Sequence, residues 1–454
     1  MKVKNQLNKE IVRVKCVDFT FDGQGLAKYN NRTIFVPSLL IDEEADVEVL
    51  YRKKDYDVGH IIKLTKISKY RISPKCKCAT SCGGCSFQNL DYQKELEYKK
   101  LIATNTINKI AKLNFKDIPI HGMNEPYYYR NKIQIPFGYD KQHRLVYGFY
   151  KFKSHDIVPI KECVIEDDCH VKILENISRL MKELHITAYD EDKLTGDIRH
   201  VLIRVGKVSK EIMVTLVVTN NKFKNKNTFS KALIKACPNI TTLLLNINSR
   251  KTNVILGEKE EVLYGKGYIE DYLLGVKFRI SSKSFYQVNH DQCEVLYKLA
   301  FEKANLTKDD TVLDAYCGIG TIGLTSAGFL KKIVGVEIVS DAIKDAKLNA
   351  KINNITNAFY YCMDASEYMF KEKFDCVFVD PPRKGLDDKF IQSLIKSSPK
   401  KIVYISCDVG TLARDLSILK EYYNINSIDF VDMFPRTYHV ETVVSLSLKK
   451  VNLK

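Results

Sequence analysis

The sequence predicts an α/β protein. It has a C-terminal domain on a seven-stranded, mostly parallel sheet, an α+β central domain and a small N-terminal β-barrel, with boundaries at 1–68, 69–280 and 281–454. The first observation is the alternation that begins near residue 291. After the helical run DQCEVLYKLAFEKA come the strand-like runs TVLDAY, KIVGVEI, FYYCMD, DCVFVD, KIVYISC, SIDFVDM and TVVSLSL, with helical stretches between the first six. Such alternation builds a parallel sheet covered on both faces. Only FPRTYHVE separates the last two runs, too little for a crossover helix, so the seventh strand is expected antiparallel to its neighbour. The second observation is the short alternating strands of the first 65 residues or so, which turn at Asn30–Asn31 and suit a small barrel. Between these two regions, residues 120–275 or so read mostly as strands with one or two helices.

Composition bounds the function. With 454 residues, 45% hydrophobic and 28% charged, the chain is long enough for about three domains and is far from a disordered composition. Lys and Arg outnumber Asp and Glu by 71 to 55, a formal charge of +16, which favours a polyanionic partner such as nucleic acid. No apolar run reaches the length of a membrane span, and the start MKVKNQLNKEIVRVK lacks the apolar core of an export signal. A cytoplasmic protein is expected, with no membrane partner and no protein partner implied. Its 13 cysteines are then thiols, ligands or nucleophiles rather than disulfides.

Taken in order, the barrel carries Arg52, Lys53, Lys54 and Tyr56, charge beside an aromatic, which suits either a single-strand binding face or a solvated basic loop. The run CKCATSCGGC follows, then a Lys- and Glu-rich helix over residues 91–113. Cys76, Cys82 and Cys85 have the spacing of a metal site, with Gly83 and Gly84 allowing a tight turn. Cys78, Cys163 or Cys169 could supply a fourth thiol, and spacing alone does not choose between zinc and an iron–sulfur cluster. The segment YYYRNKIQIPFGYDKQHRLVYGFYKFKSH interleaves aromatics with Arg and Lys, either to stack bases and neutralise phosphates or as an ordinary basic hairpin.

Ligands of open α/β sheets bind beyond the carboxyl ends of the strands. Asp314 with the loop CGIGTIG follows the first of the seven strands, Glu337 ends the second, Asp364 the third, Asp380 the fourth and Cys407 the fifth. Glu441 opens the reversed seventh strand, at the same edge. Gly318, Gly320 and Gly323 fit a G-x-G-x-x-G turn that lets backbone approach a ligand, and Glu337 is placed to hold ribose hydroxyls of NAD or S-adenosylmethionine. DPPR on the fourth strand puts a carboxylate and two rigid prolines where a second substrate meets the cofactor, which favours group transfer over hydride transfer. Cys407 precedes a helix with Asp408 as its expected N-cap, a position that favours the thiolate, with Arg414 expected to assist.

CxxxxxCGGC, YRNKIQ, FYQVN, LDAYCGIGTIG, FVDPPRKGL, YISCDVGTLARD and FPRTYHVETV stand here in the order found in bacterial RNA uracil-5 (m5U) methyltransferases, and the sequence resembles that family over essentially its whole length. The resemblance implies a C-terminal class I, Rossmann-like domain that uses S-adenosylmethionine, a central RNA-binding domain and an N-terminal OB-like barrel of the TRAM type. It implies Cys407 as nucleophile and Glu441 as general base. It also implies Gln287, Tyr316, Thr321, Glu337, Asp364 and Asp380 around S-adenosylmethionine, and Cys76, Cys82, Cys85 and Cys163 as the thiolates of a [4Fe-4S] cluster, with Cys78 and Cys169 as bystanders. Asp408 and Val409 depart from the Asn and Pro usual after the nucleophile. Relatives with both barrel and cluster mostly modify large-subunit ribosomal RNA, so 23S rRNA is the substrate expected by resemblance. The alternatives are tRNA as the substrate, amino-group methylation through DPPR, and a non-catalytic RNA-binding protein.

Overall fold

The structure is a computed structural model that describes residues 10–151, 154–191, 193–220, 225–250 and 254–450. Residues 1–9 of the expected barrel domain and residues 152–153 of the basic aromatic segment lie outside the described residues. The chain divides into two compact units. One comprises residues 1–102, 150–155 and 434–439, and the other residues 103–149, 156–433 and 440–454.

In the first unit, β1 (Ile11–Phe19), β2 (Gly25–Tyr29), β3 (Arg32–Val36), β4 (Glu44–Arg52) and β5 (Tyr56–Lys66) close into a barrel in the order β1-β2-β3-β5-β4. Asn30 and Asn31 both hold positive φ, 45° and 60°, the pair of left-handed residues that a two-residue hairpin requires, so the expected turn is present. Alternation buries Val14, Cys16, Ala27, Ile34, Val36, Val47 and Val49 as the barrel core. Helix α1 (Tyr92–Ala111) begins in this unit, where Tyr98 packs with Phe19, Leu40, Phe87 and Leu90.

The second unit begins at Ala103 within α1, and its first strand is the two-residue β6 (Ile120–His121). A seven-stranded sheet then forms from β7 (Lys132–Tyr139), β8 (Leu145–Tyr150), β9 (Ile157–Pro159), β10 (Ile198–Val205), β11 (Ile212–Val218), β12 (Ile240–Ile247) and β13 (Lys259–Tyr264), in the order β13-β12-β11-β10-β7-β8-β9. Helices α2 (Cys169–Glu183) and α3 (Lys226–Ala236) bury Ile173, Leu174, Ile177, Phe229 and Leu233 against it. Strands β10 and β11 are buried at every position, and β11, IMVTLVV, accordingly reads as a nearly continuous apolar run rather than an alternating one. The hairpin β14 (Ile269–Leu273) and β15 (Val276–Ile280) leads into α4 (His290–Ala304), whose first turn is capped by the Asn289 side chain.

The expected seven C-terminal strands all form: β16 (Thr311–Ala315), β17 (Lys332–Glu337), β18 (Ala358–Cys362), β19 (Cys376–Val379), β20 (Lys401–Ser406), β21 (Tyr423–Val431) and β22 (Glu441–Leu448). Between them lie α5 (Thr321–Ser326), α6 (Ser340–Ile352), α7 (Ala365–Tyr368), α8 (Asp388–Ser397) and α9 (Val409–Leu419). The sheet order is β18-β17-β16-β19-β20-β22-β21-β6. It therefore has eight strands rather than seven. β6 adds parallel to β21 and is too short to leave a periodic pattern in the sequence. β22 inserts between β20 and β21 and runs antiparallel to both, as the short FPRTYHVE link requires. β17 and β19 leave β16 on opposite sides, so the strand order reverses at β16, the point where such sheets open a ligand crevice.

Candidate active site

At the carboxyl end of β16, Asp314 is fully buried and its Oδ2 accepts a 2.9 Å hydrogen bond from the Gly323 N–H. Its Oδ1 is buried with no partner. Burial, with Asp380 and Glu337 near, pushes the carboxyl up to about 8, against the pull of the Gly323 N–H. Tyr316 (φ 64°), Gly318 (φ 54°) and Gly320 (φ 82°) turn the chain in left-handed conformations before α5. Gly320 is required twice over, because a Cβ there would sit 2.6 Å from the Tyr360 hydroxyl. At Gly318 a Cβ would meet only open space within 4 Å, so the backbone itself faces room for a ligand.

Thr321, the first residue of α5, shares a 2.8 Å hydrogen bond with Tyr297 of α4. Glu337 ends β17 and accepts the Val339 N–H at 3.0 Å. Asp364 caps α7, holding the Ser366 N–H at 2.8 Å and its hydroxyl at 2.6 Å. Those bonds, with Lys389 near, keep it below the usual carboxylate range. Gln287 is buried, and its carbonyl accepts from the Asn131 side chain at 3.1 Å. Tyr316 packs edge-on to Phe390, in electrostatic reach of Asp364 and Glu337.

Across the switch point, Asp380 ends β19, and burial pushes its carboxyl up to about 7. Cys407 follows β20. The β20–β22 register pairs Ser406 with Thr442, so the next residue on one strand and the preceding residue on the other bring Cys407 opposite Glu441. Glu441 is 3% exposed; burial first, then Asp380, pushes it up to about 8, while Arg383 pulls it down. Asp408 caps α9 as expected, its Oδ1 accepting the Thr411 N–H at 2.9 Å.

Two expectations about Cys407 are corrected. The thiol is pushed up to about 12, not down, because burial and the Glu441 and Asp380 carboxylates outweigh Arg383 and the backbone N–H of Cys407 itself. Arg414 does not serve the thiol. Its guanidinium is committed to Asp415 at 2.7 Å and to the carbonyls of Lys384 and Leu386 at 3.0 Å.

The nine candidate side chains of the crevice, Asp314 included, all belong to the second unit. The sequence reading passed over three further features of it. Arg383 acts on both Cys407 and Glu441. Cys293 of α4 is a buried thiol within electrostatic reach of Asp380 and Glu441. Asp415 of α9, fully buried, holds the Leu386 N–H at 2.9 Å and the Tyr404 hydroxyl at 2.6 Å, and so ties the chain after Asp380 to the helix after Cys407. ARD beside the Cys407 motif was the available signal for that tie.

Among the four expected cluster thiols, Cys76, Cys82 and Cys85 lie in the first unit and Cys163 in the second. Cys82 Sγ accepts from the Gly84 N–H at 3.3 Å and Cys85 Sγ from Gln88 Nε2 at 3.5 Å. Burial pushes Cys85 up to about 12, and Cys82 and Cys76 are near enough to add to this. Among the described residues no group of three or more His, Cys, Asp or Glu side chains forms a ready metal site, so the expected four-thiolate arrangement is not met. No helix among the described residues is long and apolar enough to cross a membrane.

Residues 91–449 match the family described as tRNA (uracil-5-)-methyltransferase. The chain belongs to that family. Its members are RNA methyltransferases that use S-adenosylmethionine and act at C5 of uracil. An uncharacterized RNA methyltransferase of Oceanobacillus iheyensis is 42% identical over 462 residues, covering 99% of this chain and 100% of its own. One from Staphylococcus aureus is 41% identical over 439 residues, covering 95% of this chain and 97% of its own. Among solved structures, the Pyrococcus abyssi tRNA (uracil-54, C5)-methyltransferase in complex with S-adenosyl-L-homocysteine superposes with a TM-score of 0.78 at 28% identity, covering 96% of this chain and 100% of its own.

Proposed function

We propose that this member of the family transfers a methyl group from S-adenosylmethionine to C5 of a uridine in structured RNA, through a covalent bond between Cys407 and C6. The observation that carries the reading is the register that sets Cys407 against Glu441 beside Asp380. The open space at Gly318 and the unpartnered Asp314 Oδ1 support a cofactor cradle there. Gln287, Tyr316, Thr321, Glu337, Asp364 and Asp380 would line it, and when bound S-adenosylmethionine supplies an electrophilic methyl group. Residues 1–68 would serve as a TRAM-like barrel, 69–280 as the RNA-binding region and 281–454 as the methyltransferase domain, in a cytoplasmic protein.

Uracil C5 is a poor nucleophile, and the thiol corrects this. Cys407 loses its proton to solvent water and its sulfur pair forms the bond to C6, while the C5–C6 π pair moves onto C5 and O4 as an enolate. C5 then takes the methyl group, and the pair of the broken S–CH3 bond stays on the sulfur of S-adenosyl-L-homocysteine. Glu441 accepts the remaining C5 proton, the freed pair rebuilds the C5–C6 double bond, and the Cys407 thiolate leaves. A uridine in folded RNA must be flipped out of its stack to reach these groups.

Cys407→Ala should form neither product nor adduct, whereas Glu441→Gln should accumulate a denaturation-resistant adduct holding both RNA and the transferred methyl. Methylation by Cys407→Ala at a rate near wild type would replace this reading with amino-group methylation through DPPR.

The finer readings concern substrate and cluster. The barrel together with the Cys-rich segment favours 23S rRNA. The full-length likeness to a tRNA (uracil-54, C5)-methyltransferase favours tRNA instead, because it spans the N-terminal region as well. For the cluster, the N–H donors to the Cys82 and Cys85 sulfurs suit thiolate ligands, and Cys76, Cys82 and Cys85 would ligate a [4Fe-4S] cluster. Protein purified without oxygen should carry about four irons; stoichiometric zinc without iron would defeat this.

A further inference from the structure

A second polar cluster in the same unit takes no part in the chemistry above. Strands β7 and β10 pair antiparallel in a register that sets Lys132 directly across from Arg204, two like charges on one face of the sheet. Such pairs destabilise a sheet unless something offsets them. Arg204 is 3% exposed; its Nη2 donates to the Ser284 carbonyl at 2.8 Å, while Nη1 is buried without a partner. The Tyr286 hydroxyl, in electrostatic reach of Arg204, is likewise buried and unpartnered. Arg130 adds a third cation, its Nε donating to the Lys132 carbonyl at 3.0 Å.

Among the described residues no carboxylate acts on Lys132 or Arg204. Lys132 feels Arg204 and Arg130, and Arg204 feels only Tyr286. Asp271, which acts on Tyr286, is committed to the backbone N–H groups of Lys207, Val208 and Ser209. Burial and the neighbouring cations accordingly push Lys132 down to about 7, and burial pushes Arg204 down to about 10. Desolvated cations without a counter-ion are costly, and an arriving oxyanion recovers that cost.

We propose that Lys132, Arg204 and the Tyr286 hydroxyl form a pocket for one phosphodiester of the RNA strand, entered from the partly exposed Lys132 side. The inference rests on the RNA methyltransferase reading and deepens it. The pocket is tied to the crevice by Asn131, which lies between Arg130 and Lys132: its N–H donates to the Val288 carbonyl at 2.9 Å and its side chain to the Gln287 carbonyl at 3.1 Å. The gripped phosphate thus belongs close to the flipped nucleotide. The carboxylate of S-adenosylmethionine is the other oxyanion at hand, but that molecule also carries an ammonium and a sulfonium, which three cations repel. A phosphodiester brings a negative charge alone.

The test uses full-length protein, a twelve-nucleotide oligouridylate and S-adenosyl-L-homocysteine, with Lys132→Gln and the charge-keeping Lys132→Arg. For Lys132→Gln we expect about tenfold weaker oligouridylate binding, a slope of log affinity against log salt smaller by about 0.7, unchanged S-adenosyl-L-homocysteine affinity and a higher melting temperature of the free protein. Lys132→Arg should retain the wild-type slope. Unchanged RNA affinity and slope in Lys132→Gln would overturn the pocket, as would a loss confined to S-adenosyl-L-homocysteine. A wild type that methylates no RNA would instead overturn the underlying reading, and the pocket with it.

Discussion

Glu441, Asp314 and Asp380 share a property that shapes how the ligand-free protein responds to pH. All three carboxyls are pushed up, to about 8, 8 and 7, chiefly by burial. The folded state therefore holds protons that the unfolded chain releases near pH 4. Their contribution to stability is full below about pH 4 and is lost as pH rises towards 7–8. Replacing Glu441 by Gln removes one such group, so this variant should unfold later than wild type at pH 8, by roughly 2–4 kcal/mol, and show little difference at pH 4. Denaturant melts at the two pH values would decide it, and equal differences at both would refute the buried-carboxyl account. A base near 8 also implies that turnover climbs with pH through that region, because only ionised Glu441 can take the C5 proton.

At the scale of elements, the crevice is braced by α9 as well as lined by strand ends. Gly385 has φ +74°, and a Cβ there would lie 2.7 Å from both Arg414 Nη2 and Asp415 Oδ2. Gly385→Ala should therefore break the tie between the chain after Asp380 and the helix after Cys407. The expected cost is about 1–3 kcal/mol of stability, with kcat falling more than affinity for S-adenosyl-L-homocysteine. Wild-type kcat in this variant would mean that the brace does not position Asp380. These elements were unequally legible in the sequence. β16 and β19 announced themselves as apolar runs ending in Asp314 and Asp380, since a strand buried on both faces has no polar face to obscure it. Asp408 announced its cap, and Asn30–Asn31 its turn. The state of the Cys407 thiol did not follow, because the helix N-terminus is local and readable, whereas burial and the Glu441 and Asp380 carboxylates arrive through tertiary structure. Asp415 read as one more charge on an amphipathic helix, although it is fully buried. Cysteine spacing foretold that Cys76, Cys82 and Cys85 would be neighbours. It also pointed to a metal site, whereas no group of three or more His, Cys, Asp or Glu side chains among the described residues forms a ready one.

Over the whole molecule, a formal charge of +16 gives any RNA a favourable approach, and it does so without regard to sequence. Binding should weaken steeply with salt for tRNA and ribosomal RNA alike, so affinity alone is a poor guide to the substrate. Selection must arise where the target uridine is flipped, since only there do Cys407, Glu441 and the base meet. A non-target RNA can occupy the basic surfaces yet never bring C6 to the thiol. The decisive quantity is thus the methylated product rather than the bound complex. Mass mapping of both RNA classes from cells with and without the gene should reveal one or more C5-methyluridines missing in the mutant, confined to a single class. Loss confined to 23S rRNA would support the reading drawn from the barrel and the Cys-rich segment. Loss confined to tRNA would support the reading drawn from the likeness to the Pyrococcus abyssi enzyme. In either case, restoring the gene with Cys407→Ala should leave the site unmodified, while restoring it with wild type should return the mark. If neither RNA class changes, C5 methylation of these RNAs is not the activity of this chain.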